Sequence, residues 1–253
     1  MSVDRKLLLD HLNALLKPAD FADYCPNGLQ VEGNNRISKI ICGVTASQFL
    51  IDQAVAQKAD TLLVHHGFFW KGEDPRVVGM KYRRLRALIE NGINLIAYHL
   101  PLDAHPQYGN NAQLADLLGI VVTGSLDPES TGSVGNVGRL PQPLKVDDFC
   151  SHVSRLLGRE PLLIEAGSHL IETIGWCTGA AQNYIEQAAS LNVDAYLSGE
   201  ISEPTVHAAR ELGVHYIAAG HHATERYGVC SLGEYLAQTF DISCTFIDEE
   251  NPV

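Results

Sequence analysis

Short apolar runs alternate along the chain with segments whose apolar residues recur at helical spacing. Runs of about four to eight apolar residues are typical of strands, and a period of about 3.6 residues is typical of amphipathic helices. The predicted strands are SKIICGVTAS, DTLLVHHG, INLIAYHLP, ETIGWCTGA, DAYLSGE and VHYIAAGHH, and the predicted helices include QFLIDQAVAQ, RRLRALIEN, NYIEQAASLN and EPTVHAARELG. This alternation predicts an α/β fold in which helices cover the faces of a largely parallel or mixed sheet.

Part of this pattern occurs twice. Residues 40–66 align with residues 174–200 without a gap, at an offset of 134 (194 − 60 for the paired aspartates), with eight identities. The next helix and strand continue the match at an offset of 121 (213 − 92), so the first copy carries 13 extra residues (134 − 121), which we assign to 68–80. We therefore predict an internal duplication.

The duplication predicts the domain organisation. A first α/β repeat is expected over residues 1–125 and a second over residues 126–253, with no extra middle domain. Ligands of open α/β sheets bind beyond the carboxyl ends of strands. The four such ends carry VHHG, AYHLPLDAH, SGE and AAGHHATE, so we expect a metal site between the repeats, completed by the C-terminal part of the second.

The first strand end carries two adjacent histidines. Neighbouring side chains in a strand point to opposite faces, so His65 and His66 can converge only if the strand has ended, or else they bind two different metals. Gly67 favours the first alternative, because glycine permits a sharp exit from the strand. Asp103 follows the next strand on a proline-containing segment, which we expect to be a loop.

The last strand end supplies a third histidine and a second acid. If a helix starts at HHATE, Glu225 lies four residues after His221 and three after His222, and shares a helix face with both. Three histidines and two acids exceed the needs of one four-coordinate zinc. Two metals about 3.5–4 Å apart would use the whole set, and mixed nitrogen and oxygen ligands favour iron, manganese, zinc, cobalt or nickel. The predicted ligands are His65, His66, Asp103, His221 and Glu225.

Other polar and aromatic residues near these motifs have open roles. Glu200 could be a general base or the partner of a ligating histidine, or it could complement a helix dipole at an N-terminus. His99 and His222 could orient ligands instead of binding metal. The aromatic run 68–70 could cover a ring-shaped substrate, although packing in a core or interface is the simpler expectation.

Composition and charge narrow the class of protein. The chain has 253 residues, of which 45% are hydrophobic and 19% are charged, as is typical of globular proteins. The formal net charge of −12 argues against extended nucleic-acid binding, since such binding depends on lysine and arginine. Six cysteines form no C-x-x-C pair, so neither a zinc knuckle nor a redox pair is indicated, and most are expected to be buried.

The N-terminal segment and the absence of nucleotide motifs add two expectations. MSVDRKLLLDHLNALL predicts an amphipathic helix and not a signal peptide, and no stretch reaches the ~18–20 apolar residues of a membrane span, so we expect a cytoplasmic protein. No phosphate-binding loop or Rossmann fingerprint is present. GSVGNVG (132–138) is expected to connect the two halves, with Pro141 and Pro143 at the boundary.

Several of these motifs together resemble the Nif-three-like family, often labelled type 2 GTP cyclohydrolase homologues, and in particular its short bacterial members. The stretches that carry the resemblance are DYCPNGLQVEG, GVTAS, LLVHHGFFWKG, HLPLDAHPQYGNNAQLADLLG, SGEISEPTVHAARELG and AGHHATERYGV. The resemblance implies two intertwined α/β repeats, a toroidal homohexamer and dinuclear metal sites that face its interior. It also implies the same five ligands, with His221 and not His222 on the metal.

The resemblance and the ligand set lead to two functional hypotheses. The first is a metal-dependent hydrolase, cyclohydrolase-like or phosphoesterase-like, that acts on nucleotides or nucleobase-type compounds, including modified or damaged ones. In it, two divalent ions, most readily iron, zinc or manganese, activate water. Glu200 or His99 moves protons, and Arg226 could meet a phosphate. The alternative is a non-catalytic metal-binding scaffold or interaction protein that forms a ring.

Overall fold

The computed structural model of the chain describes residues 1–130 and 132–253. Its strands are β1 (Val3–Asp4), β2 (Gly28–Val31), β3 (Arg36–Ile37), β4 (Lys39–Thr45), β5 (Thr61–His66), β6 (Asn94–Ala97), β7 (Val121–Ser125), β8 (Asn136–Leu144), β9 (Leu162–Ile164), β10 (Ile171–Cys177), β11 (Ala195–Ser198), β12 (His215–Ala218) and β13 (Ser243–Phe246). Its α-helices are α1 (Arg5–Leu16), α2 (Gln48–Ala56), α3 (Gly79–Glu90), α4 (Leu100–Ala104), α5 (Asn110–Leu118), α6 (Val146–Leu157), α7 (Ile185–Ser190), α8 (Glu203–Leu212) and α9 (His221–Phe240). Short 3₁₀ helices occur at Pro18–Asp20 and Gln182–Tyr184.

The predicted alternation of strands and helices is confirmed. The six predicted strands correspond to β4, β5, β6, β10, β11 and β12, and the four predicted helices to α2, α3, α7 and α8. The amphipathic segment at the N-terminus forms α1, whose first turn is capped by the Asp4 side chain accepting a hydrogen bond from the Lys6 backbone N–H at 2.9 Å. No helix among the described residues combines the length and the apolar character that crossing a bilayer requires.

The described residues divide into two compact units, each built from two stretches of chain. The first unit comprises Met1–Leu102 and Gly228–Glu250. Its main sheet has the strand order β13-β4-β5-β6-β2, in which β2 alone runs antiparallel to its neighbour. Leu63 packs with α1 and the C-terminal part of α9, and Leu62 and Val64 pack with α2 and α3 on the other face. This alternation follows from the two-residue period of a strand.

The second unit comprises Asp103–Tyr227 and Asn251–Val253. Its sheet has the order β7-β8-β10-β11-β12-β9, with β10, β11 and β12 parallel and the other pairs antiparallel. Leu197 packs with α5 and α6 on one face, and Tyr196 packs with α7 and α8 on the other. Both units are therefore mixed sheets covered by helices, as predicted.

Matched hydrogen bonds occur at the two offsets that the sequence comparison gave. Asp60 Oδ2 accepts hydrogen bonds from the backbone N–H groups of Ser38 and Lys39, at 2.8 and 2.9 Å. Asp194 Oδ2 accepts from those of Glu172 and Thr173, at 3.0 and 2.7 Å. The positions differ by 134 in each case (172 − 38, 173 − 39, 194 − 60). One side chain thus holds the start of the first parallel strand in each unit.

The division into units does not coincide with the predicted repeat boundary at 125/126. Strand β7 belongs to the sheet of the second unit, although it lies in the predicted first repeat. Residues 228–250 lie in the predicted second repeat but belong to the first unit, where Leu236 is fully buried in the core. The duplication itself remains a prediction.

Two expectations about proline-containing segments were wrong. Asp103 lies in the short helix α4 and not in a loop, because Pro101 occupies the first turn, where a helix needs no N–H from it. Pro141 and Pro143 lie within β8 and do not end an element. They fall in a bulge of the β8–β10 pairing, between Arg139 and Leu144, where a missing N–H breaks no regular ladder.

Candidate metal centre

Three histidines of the first unit lie together, and we call them the histidine cluster: His65, His66 and His99. His65 and His66 end β5, and His99 follows β6. One ring nitrogen of each lies within 4.8 Å of the others. The ring centroids are 4.5 Å apart for His65 and His66 and 5.0 Å apart for His65 and His99.

The strand does not end before the two adjacent histidines, as Gly67 had suggested. β5 runs through His66, which pairs with Thr45 of β4. On the other side of β5, the ladder to β6 ends at the pair Val64–Ala97. Both imidazoles therefore extend past the end of β6, where no strand residue lies opposite them, and their rings can approach each other.

Each histidine of the cluster places its Nδ1 against an oxygen. His65 Nδ1 lies 3.0 Å from the Tyr98 carbonyl oxygen, to which it must donate, because a carbonyl only accepts. His99 Nδ1 lies 2.9 Å from Asp23 Oδ1, and His66 Nδ1 lies 3.3 Å from Thr45 Oγ1. A neutral imidazole that donates through Nδ1 keeps its lone pair on Nε2, which is the form that binds a metal.

Asp23 anchors the histidine cluster, and the sequence analysis did not identify it. Its carboxylate accepts from His99 Nδ1, from Asn27 Nδ2 at 2.9 Å and from the Leu100 N–H at 3.0 Å. Burial alone would raise the pKa of Asp23, but the hydrogen bonds from His99 and Asn27 outweigh it and hold the pKa well below its usual range. Asp23, Cys25 and His99 form a second group with metal-ligating atoms within 4.8 Å of one another.

A second set of ligand-type side chains lies in the second unit, and we call it the acidic cluster: Asp103, His221 and Glu225. The predicted helix start at HHATE is confirmed, since α9 begins at His221. His221 Nε2 and Glu225 Oε2 lie 3.1 Å apart, as the i,i+4 spacing predicts. A carboxylate oxygen of Asp103 lies within 4.8 Å of one of Glu225.

Glu200 is the partner of a ligand-type histidine. Its Oε1 lies 2.7 Å from His221 Nδ1. The alternative of a helix-capping acid is wrong, because Ser202 caps α8 in a capping box with Thr205. Burial lowers the pKa of His221, but the hydrogen bonds and charges of Glu225 and Glu200 outweigh it and raise the pKa to about 9.

The loop at Gly179 gives the acidic cluster its room. Gly179 has φ +69°, and a Cβ built there would lie 2.1 Å from Glu225 Oε1 and 3.2 Å from His221 Nε2. Only glycine meets both conditions without strain. Asp103 is held separately, because its Oδ1 accepts from Asn110 Nδ2 at 2.8 Å and from Thr178 Oγ1 at 3.3 Å.

The remaining candidates have contacts within their own units. Arg226 donates through Nη2 to the Leu157 carbonyl oxygen at 2.7 Å, at the end of α6. His222 is buried, and its backbone N–H donates to Val253 O at 3.0 Å. A phosphate contact by Arg226 and a ligand-orienting role of His222 stay predictions.

The aromatic run 68–70 divides between packing and exposure. Phe68 is buried in the core beside α3, as the simpler expectation had it. Phe69 is exposed, with φ +66°, and lies under the Lys81 ammonium group. Trp70 lies beside the histidine cluster, with its ring centroid 5.1 Å from that of His99.

The fold and the two clusters together define an α/β protein with groups of side chains suited to holding metal ions. A sequence profile of the Duf34/NIF3 (NGG1p interacting factor 3) family matches residues 3–252. The chain therefore belongs to the Duf34/NIF3 family, and the predicted resemblance is confirmed.

Relatives and solved structures agree with this assignment. A protein of Pseudomonas aeruginosa named GTP cyclohydrolase 1 type 2 homolog is 56% identical over 252 residues, which cover 100% of both chains. A solved structure described as protein ybgI, of unknown function, superposes with a TM-score of 0.95 at 48% identity, over 99% of this chain and 100% of that one. The crystal structure of TTHA1606 from Thermus thermophilus gives 0.90 at 34% identity, over 99% and 100%.

Proposed function

We propose that the protein is a dinuclear-metal-dependent hydrolase that acts on nucleotides or nucleobase-type compounds. The observation that carries the proposal is the treatment of the ligand-type histidines. His65, His99 and His221 each turn Nδ1 towards a carbonyl or carboxylate oxygen, which leaves Nε2 to bind a metal. The name of the relative from Pseudomonas aeruginosa motivates the substrate class.

The residues fit two divalent ions. The proposed ligands, as the sequence predicts them, are His65, His66, Asp103, His221 and Glu225. Imidazole and carboxylate ligands together suit iron, zinc or manganese better than magnesium or calcium. When bound, two such ions lower the pKa of water and stabilise negative charge that develops on the reacting oxygen.

Two residues outside the ligand set are proposed to move protons. Glu200 holds His221 at 2.7 Å and is about one-third exposed, so solvent can reach its carboxylate. His99 is buried and receives its orientation from Asp23, which favours a fixed proton-transfer geometry. Either group could take a proton from water or return one to the leaving group.

Elemental analysis of the untagged protein, purified without oxygen, tests the metal part of the proposal. We expect close to two atoms of iron, zinc or manganese per chain in the wild type and a sharp fall in Asp103→Ala. A wild-type value near zero that added metal does not raise would contradict the dinuclear centre.

Turnover distinguishes a hydrolase from a metal-binding scaffold. We expect nucleotides or phosphoesters to be hydrolysed by the metal-loaded protein, and this activity to vanish with a chelator and in Asp103→Asn, while the circular dichroism spectrum stays that of the wild type. Full metal loading with no turnover, together with loss of assembly on chelation, would favour the scaffold.

We also propose that the protein is cytoplasmic and assembles as a toroidal homohexamer. The family resemblance supports the assembly, and the N-terminal sequence supports the location. Sedimentation equilibrium should give about six times the chain mass of 27.6 kDa. A mass of one chain at micromolar concentration would contradict the hexamer.

A further inference from the structure

Two partly exposed aromatic side chains lie beside the histidine cluster, and we call them the aromatic pair: Tyr24 and Trp70. Their ring centroids are 5.7 Å apart, at an interplanar angle of 36°. Tyr24 meets the His99 ring edge-on at 5.0 Å, and Trp70 lies 5.8 Å from the His66 ring. Aromatic rings therefore continue outward from the candidate metal ligands.

The pair does not serve the core as its neighbour Phe68 does. Tyr24 is 52% exposed, whereas Phe68 is 6% exposed and packs among aliphatic side chains. Large exposed aromatic rings next to a polar cluster are more typical of ligand sites than of core packing.

Two loops hold the aromatic pair in place. The Lys71 N–H donates to the Tyr24 carbonyl oxygen at 2.8 Å, which ties the loop of one ring to the loop of the other. Gln30 makes a second tie, because its Oε1 accepts from the Phe68 N–H at 2.6 Å and its Nε2 donates to the Pro26 carbonyl oxygen at 2.8 Å. The pair is thus positioned before any ligand arrives, which lowers the entropy lost on binding.

We propose that the aromatic pair is a stacking subsite for the planar ring of a nucleobase. A ring between the two would need about 7 Å, twice the ~3.5 Å contact distance of carbon atoms, so at 5.7 Å the ligand ring must add to the outer face of the pair. Stacking suits any base, since each has a π-face. The subsite rests on the proposed function in that the base would be held next to the proposed metal ligands.

Tryptophan fluorescence tests the subsite without any need for turnover. The chain has two tryptophans, and Trp176 is fully buried in the second unit, so a ligand stacked on Trp70 should quench only the Trp70 emission. The probe is guanosine monophosphate, added to the full-length protein as purified, and ribose 5-phosphate is the control that lacks the base. We expect quenching by the first and none by the second.

Equilibrium dialysis of the same nucleotide on variants assigns the binding to the pair. Tyr24→Ala and Trp70→Ala should weaken binding about tenfold or more, whereas Trp70→Phe, which keeps a ring, should largely restore it. Tyr82→Ala is the matched control, since Tyr82 is 47% exposed on α3 and outside the pair. Equal affinities for wild type, Tyr24→Ala and Trp70→Ala, or no binding at millimolar nucleotide, would overturn the subsite.

Failure of the subsite and failure of the proposed function give different results. Nucleotide binding that depends on Tyr24 and Trp70, without hydrolysis of any base-containing compound, would keep the subsite and remove the hydrolase. Hydrolysis of such a compound with an unchanged KM in Tyr24→Ala would keep the hydrolase and remove the subsite.

Discussion

At the scale of single residues, the contacts behind the ligand-type histidines matter as much as the histidines. An imidazole can rotate and exchange tautomers, and either change removes a lone pair from the place where a metal needs it. Tyr98 O, Asp23 and Glu200 each fix one ring through Nδ1. Metal affinity should therefore depend on residues that are not themselves ligands.

The Glu200 carboxylate gives the first test of this dependence. Glu200→Ala should weaken zinc affinity about 10–100-fold, because His221 loses the partner that orients it. Competition with a chromogenic chelator measures the affinity. Glu203→Ala is the matched control, since Glu203 also pairs with a histidine, His207, but is 82% exposed on α8. Equal affinities for the two variants would show that the Glu200 contact orients nothing.

Gly179 gives a second test, with another glycine as its control. Gly179 and Gly213 share φ +69°, but a Cβ at Gly213 would meet no atom within 4 Å. Both alanine variants should lose about 1–2 kcal/mol of unfolding free energy from the left-handed backbone. Only Gly179→Ala should also lose at least tenfold in zinc affinity, because its Cβ displaces the Glu225 carboxylate. Urea denaturation and chelator competition measure the two effects, and the same affinity in both variants would refute the steric argument.

The sequence could predict the candidate ligands but not their partners. His65, His66 and the i,i+4 pair His221–Glu225 stand out because spacing along the chain is itself the signal. Asp23 lies 76 residues before His99, and no local pattern connects them. The carbonyl oxygen of Tyr98 gives no signal at all in a sequence, because every residue has one.

At the scale of elements, the two parallel βαβ arrays share their hydrogen bonds as well as their order. The Asn94 N–H donates to Asp60 O at 2.9 Å, and the His215 N–H donates to Asp194 O at 3.0 Å. Each aspartate therefore joins three strands of its sheet, through its side chain to the first strand and through its carbonyl oxygen to the third. This agreement supports the predicted duplication through structure as well as sequence.

The Asp194 side chain gives a prediction with a pH dependence. Burial would raise its pKa, but the hydrogen bonds from Thr173 and from the Glu172 N–H outweigh it and lower the pKa. Because the pKa is lower in the folded state, the carboxylate stabilises the fold above its unfolded pKa of about 3.9, and this contribution is lost as the pH falls through the folded pKa. Asp194→Ala should cost about 1–2 kcal/mol at pH 7, from the lost hydrogen bonds.

Urea unfolding at pH 7 and near pH 3 checks the sign. The difference in unfolding free energy between wild type and Asp194→Ala should be full at pH 7 and smaller at pH 3. Glu211→Ala, at an exposed position on α8, should change little at either pH. A difference that grows as the pH falls would be inconsistent with a lowered pKa.

Strands that form the parallel centres of the sheets were predictable, and edge strands were not. β4 and β5 are buried on both faces and appear as continuous apolar runs. β9 has only three residues, and β13 alternates between exposed and half-buried positions, so neither gives a run long enough to detect. β8 contains two prolines, which a local reading takes as a boundary, because the bulge that accommodates them depends on pairing with β10.

At the scale of the whole molecule, the chain path decides which residues stabilise which core. The first unit is completed by residues 228–250, which are far along the chain from the rest of that unit. Val229, Leu232 and Leu236 of α9 are fully buried in its core with Leu8 and Leu12 of α1. Local periodicity could not reveal this, because it reports which face of α9 is apolar and not which core receives it.

Leu236→Ala separates the observed units from a division into continuous halves. The truncation removes a fully buried side chain and should cost about 2–5 kcal/mol of unfolding free energy. If residues 228–250 complete the first unit, hydrogen exchange should accelerate in β4, although β4 lies near residue 40 and the substitution at 236. Leu212→Ala, at a leucine 44% exposed on α8, is the matched control and should change stability by less than about 0.5 kcal/mol. Exchange that accelerates in β10 while β4 keeps its protection would instead assign the end of α9 to the core of the predicted second repeat.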